Sequence, residues 1–168
     1  DVDALRASGA EGVGLFRSEF LFLSEDAAPT EDEQYDAYRK VAEAMAGKET
    51  VIRTMDLGSD KKAGWLHMPE EKNPALGCRG LRLSLQEEEL FRSQLRALLR
   101  AAGCGNVKIM VPMIASCWEV DAVRERLHNC AAELSAEGVS HRIPPLGIMV
   151  ETPAAAMIAD QLAEKVDF

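Results

Sequence analysis

Two patterns of apolar and polar positions take turns along this chain. Short, almost purely apolar runs alternate with longer stretches in which apolar residues recur at helical period. The first run is residues 12–16, Gly-Val-Gly-Leu-Phe. Pro29 and Thr30 then open a helix, with Thr30 as cap and Glu33 at capping-box spacing. Tyr35, Tyr38, Val41, Ala42 and Met45 give that helix its apolar stripe, and Gly47 ends it. Residues 50–52 predict a second strand, followed by a polar loop with Gly58, Gly64 and Pro69. A third strand region is expected within 76–85, and a helix over 87–102 with Leu90, Phe91, Leu95, Leu98 and Leu99 on one face. Residues 107–111 form the fourth expected strand, stopped by Pro112. A long helix over 118–137 is closed by Gly138, and 146–150 and 154–165 predict a fifth strand and its helix.

Five strand-then-helix units without hairpin signals predict an α/β fold with parallel strands. Near-continuous apolar strands are the pattern expected where both sheet faces are covered. An open doubly wound sheet and part of an eight-stranded β/α barrel both fit. The glycines of "GAEGVG" precede their strand instead of following it, so they do not make a dinucleotide-binding turn.

The 168 residues suffice for one domain with a sizeable core. With 19 Lys and Arg against 28 Asp and Glu, the net charge of −9 argues against a general nucleic-acid binder. It leaves room for a local anion site, because a few clustered arginines set their own field. No apolar run spans a bilayer and no basic-plus-apolar leader is present, so a cytoplasmic protein without membrane insertion is expected. Cys78, Cys104, Cys117 and Cys130 lack metal-ligand spacing and read as free thiols. The chain opens inside a helix-like segment and stops at Val166-Asp167-Phe168, which reads as the start of another strand; a piece of a longer protein is expected.

Chemistry in parallel α/β folds gathers at the C-terminal ends of strands. The first polar residue after each apolar run is therefore informative. Strand one yields Arg17, with Glu19 beyond; strand two yields Arg53, then Asp56. The third region carries Arg79 and Arg82, strand four leads to Pro112 and Met113, and strand five leads to Glu151. Arg17, Arg53 and Glu151 are thus expected on one rim, with Arg79 near it. Guanidinium groups hold phosphate oxygens through paired hydrogen bonds. At an effective dielectric of ~20, a charge pair ~4 Å apart is worth roughly 4 kcal/mol before desolvation, and clustered arginines repel by a similar amount. Such a cluster implies a bound anion or internal partners. Glu151 could be an internal partner or a ligand for Mg²⁺, which uses few carboxylates and shares the substrate's own oxygens. A lone arginine after a strand is more often a rim ion pair of little worth. Arg82 reads as structural, and Glu19 and Asp56 as groups that orient the arginines. His67, His128 and His141 read as surface or loop residues.

The blocks "GVGLFRSEFLF", "VIRTMDLGSDK", "NPALGCRGLRL", "KIMVPM" and "GIMVETPAAA" resemble, in order, those of the phosphoenolpyruvate-utilising enzymes. Within that family, "RSEFLF" and "RTMDLGSDK" look like the enzyme I branch of the bacterial phosphoenolpyruvate:sugar phosphotransferase system. The resemblance implies a (β/α)8 TIM barrel that binds phosphoenolpyruvate, of which residues 1–168 would be a partial domain with about the first five β/α units, truncated at both ends. It further implies that Arg17 and Arg53 hold the phosphoryl group, that Arg79 joins the same cluster, and that Glu151 is a Mg²⁺ ligand. The implied reaction moves the phosphoryl group of phosphoenolpyruvate to an enzyme histidine and on to the carrier protein HPr, for sugar uptake. The family's second metal-ligand block, its later arginine and cysteine, and the phosphorylated histidine have no counterpart here, so the piece is expected to be inactive alone. A homodimer is the implied assembly. The alternatives are a piece of pyruvate phosphate dikinase or phosphoenolpyruvate synthase, and a non-catalytic regulatory or scaffold barrel.

Overall fold

The computed structural model describes residues 2–23, 26–59 and 63–168. After a short helix α1 (Val2–Ala7), β1 (Val13–Arg17) runs into a 3-10 turn at Ser18–Leu21. Helix α2 (Glu31–Ala44) begins at Thr30 as expected: the Thr30 hydroxyl accepts from the Glu33 amide, and the Glu33 carboxylate accepts from the Thr30 amide at 2.8 Å. Strand β2 (Thr50–Arg53) follows. Helices α3 (Leu81–Gln86) and α4 (Glu88–Ala102), strand β3 (Val107–Val111), helix α5 (Cys117–Ala136) and strand β4 (Leu146–Ile148) complete the frame. Residues 154–165, expected as one helix, are two short ones, α6 (Pro153–Met157) and α7 (Ala159–Ala163), because Ile158 leaves helical dihedrals at φ −121° and ψ 23°.

The sheet is parallel and ordered β1-β2-β3-β4, so each strand lies beside its neighbour in sequence. A parallel α/β fold is therefore present, with four strands among the described residues instead of five. The expected third strand region, 76–85, is helical: a 3-10 turn at Pro74–Leu76, then α3. Gly80, at φ 53° and ψ −130°, interrupts any extended run, and the Ser84 amide bonds back to its carbonyl. The apolar alternation Leu81, Leu83, Leu85 resembled a strand because the helix packs on two sides. Leu81 enters the main core, and Leu83 enters a second cluster with Phe22, Met55, Leu57 and Ala63.

The two faces of the sheet differ in what covers them among the described residues. Ile52, Val107, Ile109, Val111 and Leu146 pack into one core with α2, α4 and α5, on one face of the sheet. Alternation along a strand sends the residues between them to the opposite face. Lys108 and Met110 of β3 are half-buried there, and Leu15 and Arg17 of β1 are exposed. One face thus carries the main core, and the other mixes the charges of Arg17, Arg53 and Lys108 with apolar Leu15, Val51 and Met110. Arg96, on α4, ties three helices together by bonding Glu31 of α2 and Glu133 of α5, with Glu137 just beyond α5. At the far end, Asp167 and Phe168 bond alongside β4, through Asp167 N to Leu146 O and Ile148 N to Phe168 O, as the next parallel strand would.

Leu98 is fully buried on the inner face of α4. Leu98→Ala is expected to lower unfolding stability by about 2–5 kcal/mol, read as a lower urea midpoint at unchanged slope.

Candidate functional site

Packing of Phe16 against the helical core, edge-to-face with Tyr38 at 5.8 Å between centroids, turns the next residue, Arg17, to the other face. Ile52 does the same for Arg53. The register pairs Arg17 with Arg53 directly, so two guanidinium side chains leave neighbouring strands on the same face. Like charges so placed are destabilising unless something lies between them. That something is Glu19, from the 3-10 turn after β1. Its Oε1 accepts from Arg17 Nε at 2.8 Å and from Arg53 Nη2 at 2.7 Å. Glu19 is only 1% exposed. Burial raises its pKa, but the backbone bond at its own residue and the bonds from Arg17 and Arg53 outweigh that, and the net shift is downward.

A second carboxylate repeats the arrangement. Arg79 donates Nε to Asp56 Oδ1 and Nη2 to Asp56 Oδ2, both at 3.0 Å, the fork-on-fork geometry of a strong pair. Asp56 Oδ2 also lies 3.4 Å from Arg53 Nη2, which links the two halves. The expectation that Glu19 and Asp56 orient the arginines agrees with this geometry. Arg82 instead donates to the carbonyls of Leu76 and Gly77, a structural bond. Among the described residues, Arg17, Arg53 and Arg79 are held here by Glu19 and Asp56. Arg53 is buried, and its Nε has no hydrogen-bond partner among the described residues. Arg17 is half exposed and lies over the ring of Phe20, 5.1 Å from its centroid. The set can therefore accept an anion from the solvent side, with donors already aimed.

Glu151 stands three residues beyond β4 and is exposed. Its Oε1 accepts from the amide of Met113 at 2.7 Å. The next residues reinforce the link: Thr152 Oγ1 donates to Ile114 O at 2.6 Å and accepts from Ala155 N, capping α6. Met113 holds φ at 62°, rare for a side chain of its kind, and its amide is the donor to Glu151. A Cβ on Gly80 would stand 2.8 Å from Met113 Cγ, so the glycine beside Arg79 is what lets Met113 sit there. Met149 Sδ, in turn, accepts from Arg53 Nη1 at 3.7 Å. The ends of all four strands thus meet in one connected rim, with Glu151 bound to it through Met113. Sequence reasoning named Met113 only as the residue after Pro112, since nothing in a methionine signals positive φ. It also missed Gln94, a polar residue in step with Phe91, Leu95 and Leu98 on the apolar face of α4, which was a readable signal.

No group of three or more His, Cys, Asp or Glu that could hold a metal by itself is present among the described residues. Glu151 is a single carboxylate near a cationic rim. That donor set suits Mg²⁺, which takes one or two protein carboxylates and completes its shell with water and substrate phosphate oxygens. His128 and His141 each have a ring nitrogen bonded to a backbone carbonyl, of Arg124 and Val139.

Residues 1–168 match the model of the family described as PEP-utilising enzyme, PEP-binding domain, where PEP is phosphoenolpyruvate. The chain belongs to this family. It is 52% identical over 164 residues to the phosphoenolpyruvate-protein phosphotransferase of Haloferax volcanii, covering 95% of this chain and 29% of that protein. It is likewise 52% identical over 170 residues to the protein of that name from Listeria monocytogenes, and 50% identical over 170 residues to that from Bacillus subtilis; each alignment covers 100% of this chain and 30% of the relative. The PEP-binding domain described here thus spans about three-tenths of the length of these curated relatives.

The lowered pKa of Glu19 carries a sign. A carboxylate depressed in the folded state contributes stability that is fully present above its ordinary value of 4.5 and lost as pH falls through the folded value. Glu19→Gln is expected to lower unfolding stability at pH 7 by about 1–3 kcal/mol. The gap from the parent protein should close below pH 4.5 in denaturant titrations. A constant gap down to acid pH would assign the loss to packing.

Proposed function

We propose that this chain is the phosphoenolpyruvate-binding part of a phosphoenolpyruvate-protein phosphotransferase longer than these 168 residues. One observation carries the reading: Arg17 and Arg53 leave β1 and β2 in register, held by one buried carboxylate, with Arg79 held by a second. Fixed, spaced guanidinium groups suit the phosphoryl group of phosphoenolpyruvate. In this reading the four strands belong to a TIM barrel, and the domain is one part of it.

Arg17 and Arg53 bind the phosphoryl oxygens, and Arg79 adds a third cation from the side. Their pairing with Glu19 and Asp56 keeps them in place before substrate arrives, so little reorganisation opposes the transfer. Glu151 would hold Mg²⁺. That ion, when bound, screens charge on the phosphoryl group and on the enolate left behind. Phosphoryl transfer breaks the bond between phosphorus and the enol oxygen and forms one to a histidine nitrogen. The enolate then takes a proton to become pyruvate. The acceptor histidine and the proton donor are supplied by parts of the longer protein, and the phosphohistidine passes the group to HPr in the route to sugar uptake. A cytoplasmic homodimer is the proposed state. No helix among the described residues is long and apolar enough to cross a membrane, which is compatible with that reading.

The test is calorimetric titration of phosphoenolpyruvate into the full-length protein, with and without Mg²⁺. Arg53→Ala is expected to weaken binding by ~100-fold or more and to abolish phosphoryl transfer, with circular dichroism unchanged. Glu151→Ala is expected to remove the Mg²⁺ dependence of binding, with metal-free binding no weaker than the parent's. Near-normal transfer by folded Arg53→Ala would sink the reading.

A further inference from the structure

Below the arginine rim lies a buried polar network with no part in binding as described so far. Its centre is the side-chain amide of Gln94, which is 1% exposed on the inner face of α4. Gln94 Oε1 accepts from the backbone amide of Met55 at 2.9 Å. Gln94 Nε2 donates to Ser18 Oγ at 3.1 Å and to the Tyr38 hydroxyl at 3.0 Å. Tyr38 donates onward to Gln34 Oε1 at 3.3 Å, and Gln34 Nε2 bonds Pro29 O and Ser93 Oγ.

The positions reached by Gln94 are informative. Ser18 stands between Arg17 and Glu19. Met55 stands two residues after Arg53 and one before Asp56. One rigid amide therefore holds the chain next to each of the two carboxylates that aim the arginines. We infer that Gln94 is a positioning residue for the phosphoryl site: its amide sets the distance between Glu19 and Asp56, and through them the spread of Arg17, Arg53 and Arg79. The inference rests on the phosphoryl-binding role proposed for those arginines.

Chemistry explains why an amide is used. The Met55 N–H needs an acceptor, and the Ser18 and Tyr38 oxygens receive donors. A neutral amide meets both demands at once. A carboxylate at 94 could not donate, and an apolar side chain would leave the Met55 N–H buried without its acceptor. A satisfied network in a low-dielectric interior selects one arrangement over its neighbours. Bidentate holding of a phosphoryl group tolerates little error: a ~1 Å misplacement from a distant change can cost about 100-fold.

Gln94→Met keeps the length of the side chain and removes its hydrogen bonds. In the full-length protein, with Mg²⁺ in excess and well below the melting midpoint, it is expected to weaken phosphoenolpyruvate binding by roughly tenfold or more. Ser18→Ala, which removes one of the contacts, should weaken it in the same direction. Gln34→Met, in the same network but one step further from the strand ends, should lower the melting midpoint and leave the dissociation constant within about twofold of the parent's. A folded Gln94→Met that binds normally overturns the inference, as does Gln34→Met weakening binding as much as Gln94→Met. If Gln94→Met does not fold, Ser18→Ala decides: normal binding overturns the inference, weaker binding sustains it. Arg53→Ala separates the two levels. Loss of binding there with normal binding in Gln94→Met removes the inference alone; normal binding in Arg53→Ala removes the site and the inference with it.

Discussion

Two arginines in register on adjacent strands are the constraint around which this structure is organised. Strand neighbours lie ~4.8 Å apart, and Arg53 is buried. Left to themselves, two cations so placed would push β1 and β2 apart and would resist desolvation. Glu19 resolves both problems with one oxygen, which accepts from Arg17 and Arg53 together. The turn that follows β1 must therefore deliver a buried carboxylate back over its own strand end. The 3-10 conformation of Ser18–Leu21, the hold on Ser18 by Gln94 and the packing of Phe22 into the second apolar cluster all serve that delivery.

The division of the sheet into two faces follows from the same constraint. Charge cannot share a face with Ile52, Ile109 and Leu146 without stranding ions in the apolar core. The period-2 alternation of strands separates them without extra machinery: Phe16 and Ile52 point to the helices, and Arg17 and Arg53 point away. Where polar groups do enter the core, as at Gln94, Tyr38 and Gln34, they bond to one another. The result is a stiff apolar and amide-bonded layer beneath a charged one. Positions in the charged layer are set from below as well as by the ion pairs within it.

Much of this was legible in the sequence wherever a single local rule governs the outcome. The Thr30 cap needs only Glu33 three residues on. Arg17 and Arg53 needed only an apolar run with a charge at its C-terminal end, and Glu19 and Asp56 were recognisable as their partners. Residues 76–85 were misread because two rules compete there. Leu81, Leu83 and Leu85 alternate as a strand would, but Pro74 and Gly80 break the extension, and packing on two sides lets a helix bury alternate residues. The positive φ of Met113 had no signal at all. It is tolerated because Gly80, 33 positions earlier, has no Cβ to collide with it, and such a contact exists only after folding.

The placement of Glu151 bears on its role more directly than its sequence position did. A glutamate at a strand end near arginines could serve as their counterion. Glu19 and Asp56 already fill that place, and among the described residues no arginine bonds Glu151. Its recorded partner is the uncharged amide of Met113, a bond that orients the carboxylate while leaving its charge uncompensated. A phosphorylated anion drawn to Arg17 and Arg53 would bring further negative charge towards it. At an effective dielectric of ~20 such like charges a few ångströms apart repel by a few kcal/mol. In the proposed reading Glu151 would hold a divalent cation, which would supply positive charge there and needs few protein carboxylates. The backbone bond from Met113, a residue at an unusual φ, orients the carboxylate. A carboxylate tied to the peptide backbone, with no arginine bonded to it among the described residues, suits the proposed metal-binding role better than that of a counterion.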